Sequence, residues 1–207
     1  CAEALRNGIA GPYVRSIIKT YGWRAPFDDV RQWPYPVRIF TLGGFSIQIE
    51  DETIGFGAKA PRKALGLLKA LICLGGNEVR DHQLIDALWK DEEADAARAS
   101  FNVTLHRLRR LLGKHAAIEV VDGCLTLNSG IVWVDAFAYE RALSNGNAEC
   151  EASVENALAL YRGPLLPTDS GESWSAAARE RLRTKFLYHV GRRARHLELS
   201  QRGDDAI

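Results

Sequence analysis

The run from Ala97 to Gly113, Ala-Arg-Ala-Ser-Phe-Asn-Val-Thr-Leu-His-Arg-Leu-Arg-Arg-Leu-Leu-Gly, leaves this chain few choices. Wound at about 100° per residue, it places Phe101, Leu105, Leu108 and Leu112 in one narrow stripe. Val103, His106, Arg107 and Arg110 fall on the opposite side, flanked by Asn102 and Arg109. One face of this helix needs a core. The other carries cations, an amide and an imidazole over about two to three turns. A helix lying in a DNA major groove presents the same set: donors for base edges and positive charge for phosphates. Basic amphipathic helices also occur as plain solvated surfaces, so the flanking sequence has to decide.

The chain has 207 residues and a net charge of only +1, so any nucleic-acid surface must come from local asymmetry. That asymmetry exists. Ala94–His115 carries Arg98, Arg107, Arg109, Arg110 and Lys114 against the single acid Asp95, while Asp91, Glu92 and Glu93 lie just upstream. Ser175–His196 is more basic still, with Arg179, Arg181, Arg183, Lys185, Arg192, Arg193 and Arg195 against Glu180. A length of 207 residues suits one large domain or two small ones, and a hydrophobic share of 46% is that of a soluble globular chain.

Along the chain, residues 1–25 read as helix in two pieces broken at Gly11-Pro12, and the prolines at 26, 34 and 36 make residues 26–36 a linker. Val37–Leu42 and Phe45–Ile49 alternate with period two around Gly43-Gly44, and Thr53–Gly57 reads as a short strand. Three helices follow. The first opens at Pro61 and stops at Gly75-Gly76, the second opens at Asp81 with Leu84, Ile85, Leu88 and Trp89 facing inward, and the third is the basic one. Ile118–Val121 and Cys124–Leu127 flank Asp122-Gly123, a two-residue hairpin turn, and Ile131–Val134 is a further strand. From Asp135 on, the pattern is helical to the end, interrupted at Gly163–Gly171. Strands, three helices and a hairpin in that order are the layout of a winged helix-turn-helix, with a recognition helix and a wing. The fold class read here is α+β: a winged helix-turn-helix with an N-terminal antiparallel sheet and a C-terminal wing, then an all-α helical domain, which the family resemblance given below implies is tetratricopeptide-like.

Several function classes find no support. The four cysteines Cys1, Cys73, Cys124 and Cys150 are far apart and fit no zinc spacing, so no metal is expected, and a reducing cytoplasm is inferred. Asp28-Asp29 and Asp204-Asp205 read as capping or solvated turns, and Gly43-Gly44 and Gly75-Gly76 lack the lysine of a phosphate loop. With no acid–base or nucleophile pair, neither an enzyme nor a cofactor is expected. No apolar run reaches the ~18 residues of a membrane span. The chain starts at Cys1 and holds no methionine, which suggests a piece of a longer protein.

The run from Arg38 to Val134 resembles the OmpR-type winged helix, through Leu84-Ile-Asp-Ala-Leu-Trp89, Leu105-His-Arg-Leu-Arg-Arg-Leu-Leu-Gly113 and the short wing. Val134-Asp-Ala-Phe137, Ala157-Leu-Ala-Leu-Tyr-Arg-Gly-Pro-Leu-Leu-Pro167, Trp174 and Ala178-Arg-Glu-Arg-Leu182 resemble the bacterial transcriptional activator domain. The pair is the architecture of SARP-type regulators. Tyr13-Val-Arg-Ser-Ile-Ile18 with Trp33-Pro-Tyr-Pro36 resembles the segment that joins a MalT-like sensor to such a module. The resemblance implies three regions: 1–36, a helical segment and linker; 37–134, the DNA-binding domain; and 135–207, part of the activator domain. It implies double-stranded DNA and RNA polymerase as partners and a cytoplasmic transcriptional activator. The sequence departs from the family at the wing, where Cys124 replaces the usual aromatic and Asp122 puts an acid at the tip.

On this reading Arg107 and Arg110 suit guanine, Asn102 suits adenine, Val103 suits a thymine methyl, and His106 lies beside them. Arg98 and Arg109 sit on the flanks and suit phosphates, as do Lys59, Arg62, Lys63 and Arg80, which precede or open helices. The bland counterpart for each is a solvated side chain. An incomplete helical repeat ending near Leu197 and Leu199 would favour self-association or local disorder there. The basic run Arg179–Arg195 suits a partner-binding face better than a second DNA face. The rival reading is a helical-repeat interaction adaptor with a degenerate winged helix, which the acidic wing tip favours.

Overall fold

The structure, a computed structural model, describes residues 1–23, 25, 32–57, 60–144 and 151–204. Strands β1 (Val37–Phe40) and β2 (Ser46–Ile49) pair antiparallel, as period-two alternation predicts, and β3 extends the meander as Glu52–Thr53 alone, so the strand expected over Thr53–Gly57 is corrected: residues 54–57 are not strand. Val37, Ile39 and Ile47 point into the core with no exposure, while Arg38, Phe40 and Gln48 stay partly open on the other face. The expected antiparallel sheet needs one correction. The later strand β7 (Val132–Val134) returns to the free edge of β1 and pairs with it in parallel, Val37 opposite Val132, giving the order β3-β2-β1-β7. That pairing satisfies the edge of β1, which would otherwise expose unpaired backbone.

Three helices carry the core. Helix α3 (Arg62–Cys73) follows Pro61 and ends before Gly75 and Gly76, which take φ of 104° and 70° that favour glycine. Strand β4 (Val79–Arg80) leads into α4 (Asp81–Leu88), and after residues 89–93 comes α5 (Ala94–Leu111), closed by Gly113 at φ 64°. The wing is β5 (Ile118–Val121) and β6 (Cys124–Leu127), with β4 added to the outer edge of β6. Val121 faces Cys124 across Asp122 and Gly123, both at positive φ (49° and 74°), the two-residue turn that Asp-Gly favours.

The helical region is not a separate ball beside this unit. One hydrophobic cluster runs without a break from Val37 and Ile39 through Leu68, Leu71 and Leu108 to Tyr139, Ala157, Leu165, Ala178 and Leu182. It includes residues of α6 (Asp135–Ser144), α7 (Glu151–Leu160) and α8 (Ser173–Asp204). Helix α3 packs against α5 on one side and α8 on the other. This explains why Leu67 and Ala70 are as buried as the predicted stripe of Leu65, Leu68, Leu71 and Ile72. The ion pair Lys69–Asp169 (2.8 Å), both side chains largely covered, ties α3 to the short 3₁₀ turn Pro167–Asp169 ahead of α8. Cys73 behaves as a small apolar residue, and burial pushes its thiol up to about 12.

The N-terminal segment differs from expectation in two ways. The break between α1 (Ala2–Arg6) and α2 (Gly11–Tyr21) lies at residues 7–10, and Gly11-Pro12 opens α2. Proline fits a first helical turn because its fixed φ is already helical and no N–H is needed there. The described part of the expected linker is not a passive spacer either. Trp33 and Tyr35 are buried, packed with Leu5, Val14, Ile18, Trp133 and Ala138 in a second small core. Residues 26–31 lie outside the described residues, as do the side chains of Leu197 and Leu199.

Candidate functional site

Helix α5 is fixed in rotation by what it buries. Phe101, Leu105, Leu108 and Leu112 are at most 8% exposed, and the ring of Phe101 meets Trp89 edge to face. Ala97 and Thr104 add to the covered side. The opposite side then has no alternative but solvent: Asn102, Val103, His106, Arg107 and Arg110 are all exposed, with Val103 half open at 50%. A bare valine among polar groups is the unusual member of that row. Arg107 and Arg110 make no ion pair among the described residues, so their charge is uncompensated locally. His115, just past the helix, places its ring against that of His106 (6.2 Å between centroids) and extends the strip. Helical periodicity could not show His115, because the chain reverses at Gly113 in between.

The flanking cations divide into free and engaged groups. Arg62 and Arg80 are exposed and unpaired among the described residues. Lys63 is exposed and reaches Glu92 (3.0 Å), whose other oxygen accepts from the hydroxyl of Ser100, so the start of α3 is tied to the first turns of α5. Lys59 lies outside the described residues. Arg98 and Arg109, expected on the phosphate flanks, both serve the protein itself. Arg109 is half-buried, and its Nε and Nη2 donate to the carbonyl of Ile118 (3.2 and 2.8 Å), clamping the wing to α5. Arg98 pairs with Asp81 at the start of α4. The N–H of Asp81 donates to the carbonyl of Gly123 at the wing tip (2.8 Å), so Asp81 joins α4, α5 and the wing at one point.

The Arg98 guanidinium holds the Asp81 carboxyl below the ordinary aspartate value of 3.8. A carboxyl whose folded value is depressed stabilises the fold above that range, and the contribution is lost as pH falls through the folded value. Asp81→Asn should therefore cost up to about 1 kcal/mol at neutral pH, the usual size for a partly exposed pair. The gap between the two proteins in urea melts should close as pH drops below 3.8. A gap that persists or widens on acidification would show that the pair does not contribute through its charge.

The second basic run, on α8, is mostly structural. Arg179 donates to the carbonyls of Leu165, Leu166, Asp169 and Ser170, capping the turn before the helix. Arg181 and Lys185 both hold Glu140 of α6 (2.9 and 3.1 Å). Burial pushes Glu140 up, but these two cations outweigh it and keep the carboxyl low. Arg183 pairs with Glu180 and Arg193 with Glu155, and Arg192 lies over the ring of Tyr188. Apart from Arg183–Glu180, sequence charge alone could not separate such pairs from a free basic face, because Glu140 and Glu155 sit 38 to 45 residues away in α6 and α7.

Among the described residues no group of three or more histidines, cysteines or acids could hold a metal, and no helix is long and apolar enough to cross a membrane. No family model matches the chain, and no curated protein matches it. Among solved structures it is similar to Mycobacterium tuberculosis EmbR, in a complex with a low-affinity phosphopeptide. The TM-score is 0.56 at 19% identity, over 74% of this chain and 43% of that one. This chain therefore shares the fold of under half of EmbR.

Proposed function

We propose that the chain is the DNA-binding module of a transcriptional regulator of the SARP kind, reading duplex DNA with α5 in the major groove. One observation carries this reading. Helix α5 buries one face completely and leaves Asn102, Val103, His106, Arg107 and Arg110 contiguous, exposed and uncompensated on the other. In this proposal Arg107 and Arg110 read guanine, Asn102 reads adenine and Val103 packs on a thymine methyl. Arg62, Lys63 and Arg80 approach phosphates. Arg98 and Arg109 serve first as clamps, presenting α5 and the wing as one rigid surface, and any phosphate contact they make is secondary. The fold shared with EmbR and the resemblance to SARP-type regulators support an activator working in the cytoplasm, with RNA polymerase as partner and self-association on DNA.

The test is duplex binding against salt. Each neutralised phosphate contributes about −0.9 to the slope of log affinity on log salt, so several contacts give a steep fall. The full chain should bind promoter fragments at low salt and lose affinity steeply as salt rises. A flat response, or no binding at low salt, would favour the adaptor reading, to which the exposed acid Asp122 on the wing tip lends its one point of support.

A further inference from the structure

A cleft of about 450 Å³ lies where three stretches of chain meet: the first turns of α3, the end of α4 and the segment leading into α8. That volume is inside the size range of small-molecule sites, and no group of the exposed strip on α5 lines it. Leu65, Leu88 and the partly buried ring of Trp174 supply an apolar surface. Gly66 keeps it open. Glycine costs a helix interior stability, and here packing does not demand it: a Cβ would meet only the Leu88 Cδ2, at an ordinary 3.9 Å. What a larger residue would take away is space in the cleft.

The charges around this surface are mostly matched. Lys63 is taken by Glu92 (3.0 Å), and Lys69 by Asp169 (2.8 Å). Two are not. Arg62 on α3 and Glu172, just ahead of α8, both line the cleft, are exposed and make no ion pair among the described residues. Trp89, 3% exposed, lines it beside Trp174, and neither indole N–H has an acceptor in the protein. The unmatched donors call for acceptor oxygens, and the unmatched acid calls for a cation.

From this combination we propose that the cleft binds a free α-amino acid with an apolar side chain. Its carboxylate takes Arg62 and brings acceptor oxygens to a donor-rich lining, its ammonium takes Glu172, and its side chain covers Leu65, Gly66 and Leu88. A guanidinium fork matches a carboxylate, and charge-assisted hydrogen bonds at both ends are the strong kind. Arg62 is also one of the cations offered to DNA phosphates above, so the test is run without DNA and its outcome leaves that reading untouched.

Calorimetric titration of the full chain with L-leucine, free glycine, isocaproate and isoamylamine separates the three contributions. Leucine should bind about tenfold or more tighter than each of the others, which lack the apolar side chain, the ammonium and the carboxylate in turn. Glu172→Gln should weaken leucine about tenfold and leave isocaproate as it was, a split that a general disturbance of the cleft would not give. Because Glu172 is exposed and unpaired among the described residues, the variant should melt like the parent. Leucine binding unchanged by Glu172→Gln, an equal loss for leucine and isocaproate, any of the three lesser ligands as tight as leucine, or no heat with leucine up to about 10 mM would each overturn the proposal.

Discussion

Asp135→Ala is expected to lower stability by about 3–5 kcal/mol. Asp135 is 3% exposed at the start of α6. Its Oδ1 accepts from the Thr41 N–H (2.8 Å), the Thr41 hydroxyl (2.7 Å) and the Ala136 N–H (2.8 Å). Its Oδ2 accepts from the Thr41 and Leu42 N–H groups (2.9 and 3.0 Å). The Thr41 and Leu42 donors lie just past the end of β1, where the strand leaves the sheet, and the Ala136 donor lies in the first turn of α6; all three amides would otherwise be orphaned inside the protein. Alanine strands three buried N–H groups at once, and an unpaired buried donor costs about 1–3 kcal/mol before local relaxation.

Asp135→Asn tests that account more finely. The amide keeps one acceptor oxygen but points an NH₂ at a donor, so it should fall between wild type and alanine. Thermal and urea unfolding of the three proteins at neutral pH checks the order. If asparagine were as stable as aspartate, the carboxylate would be doing less than its geometry indicates. If alanine cost under about 1 kcal/mol, water must reach the three amides and the site is not dry. The same residue shows why the region after β7 does not behave as a detached domain. It joins the end of β7, the end of β1 and the first turn of α6, and its neighbours Val134 and Ala136 both belong to the one hydrophobic cluster.

That continuity was hidden in the sequence for a physical reason. Periodicity reports which face of an element is apolar, so α5, the Asp122-Gly123 hairpin and the helices after Asp135 could be read directly. It does not report which element covers that face. Leu67 and Ala70 lie off the main stripe of α3 and look optional until α8 is laid against them. Partners that pair over long separations are equally silent. The parallel β1–β7 contact spans about 95 residues, a distance over which local patterns carry no information. Proline misled in both directions at the N-terminus. At Pro12 it started a helix, and at Pro34 and Pro36 it framed buried aromatics that composition marked as linker. At the candidate site, the exposed strip could be read from helical spacing alone. The engagement of Arg98 and Arg109 could not, because Asp81 and the Ile118 carbonyl reach them only through the tertiary fold.

Arg107→Ala and Arg110→Ala should each weaken binding to a specific duplex by about 1–3 kcal/mol while leaving the melting temperature unchanged. Both side chains are exposed and unpaired among the described residues, so removing them breaks no internal contact. Leu108→Ala, one residue from Arg107 and fully buried, should do the reverse and cost about 2–5 kcal/mol of stability. The salt dependence sorts the two arginines further. Loss of a phosphate contact reduces the salt slope by about 1 and weakens all sequences alike, whereas loss of a base contact leaves the slope and relaxes preference at one position. The double variant should lose the sum of the two, provided the arginines read separate base pairs. Arg192→Ala, far along α8 over the ring of Tyr188, serves as the matched control and should bind as the parent does. If Arg110→Ala unfolds the domain while Leu108→Ala does not, the helix is rotated away from the orientation its burial gives. If both arginine variants and the double variant bind DNA as the parent does, α5 is not the reading helix, and the exposed strip of Asn102, Val103 and His106 must serve another partner.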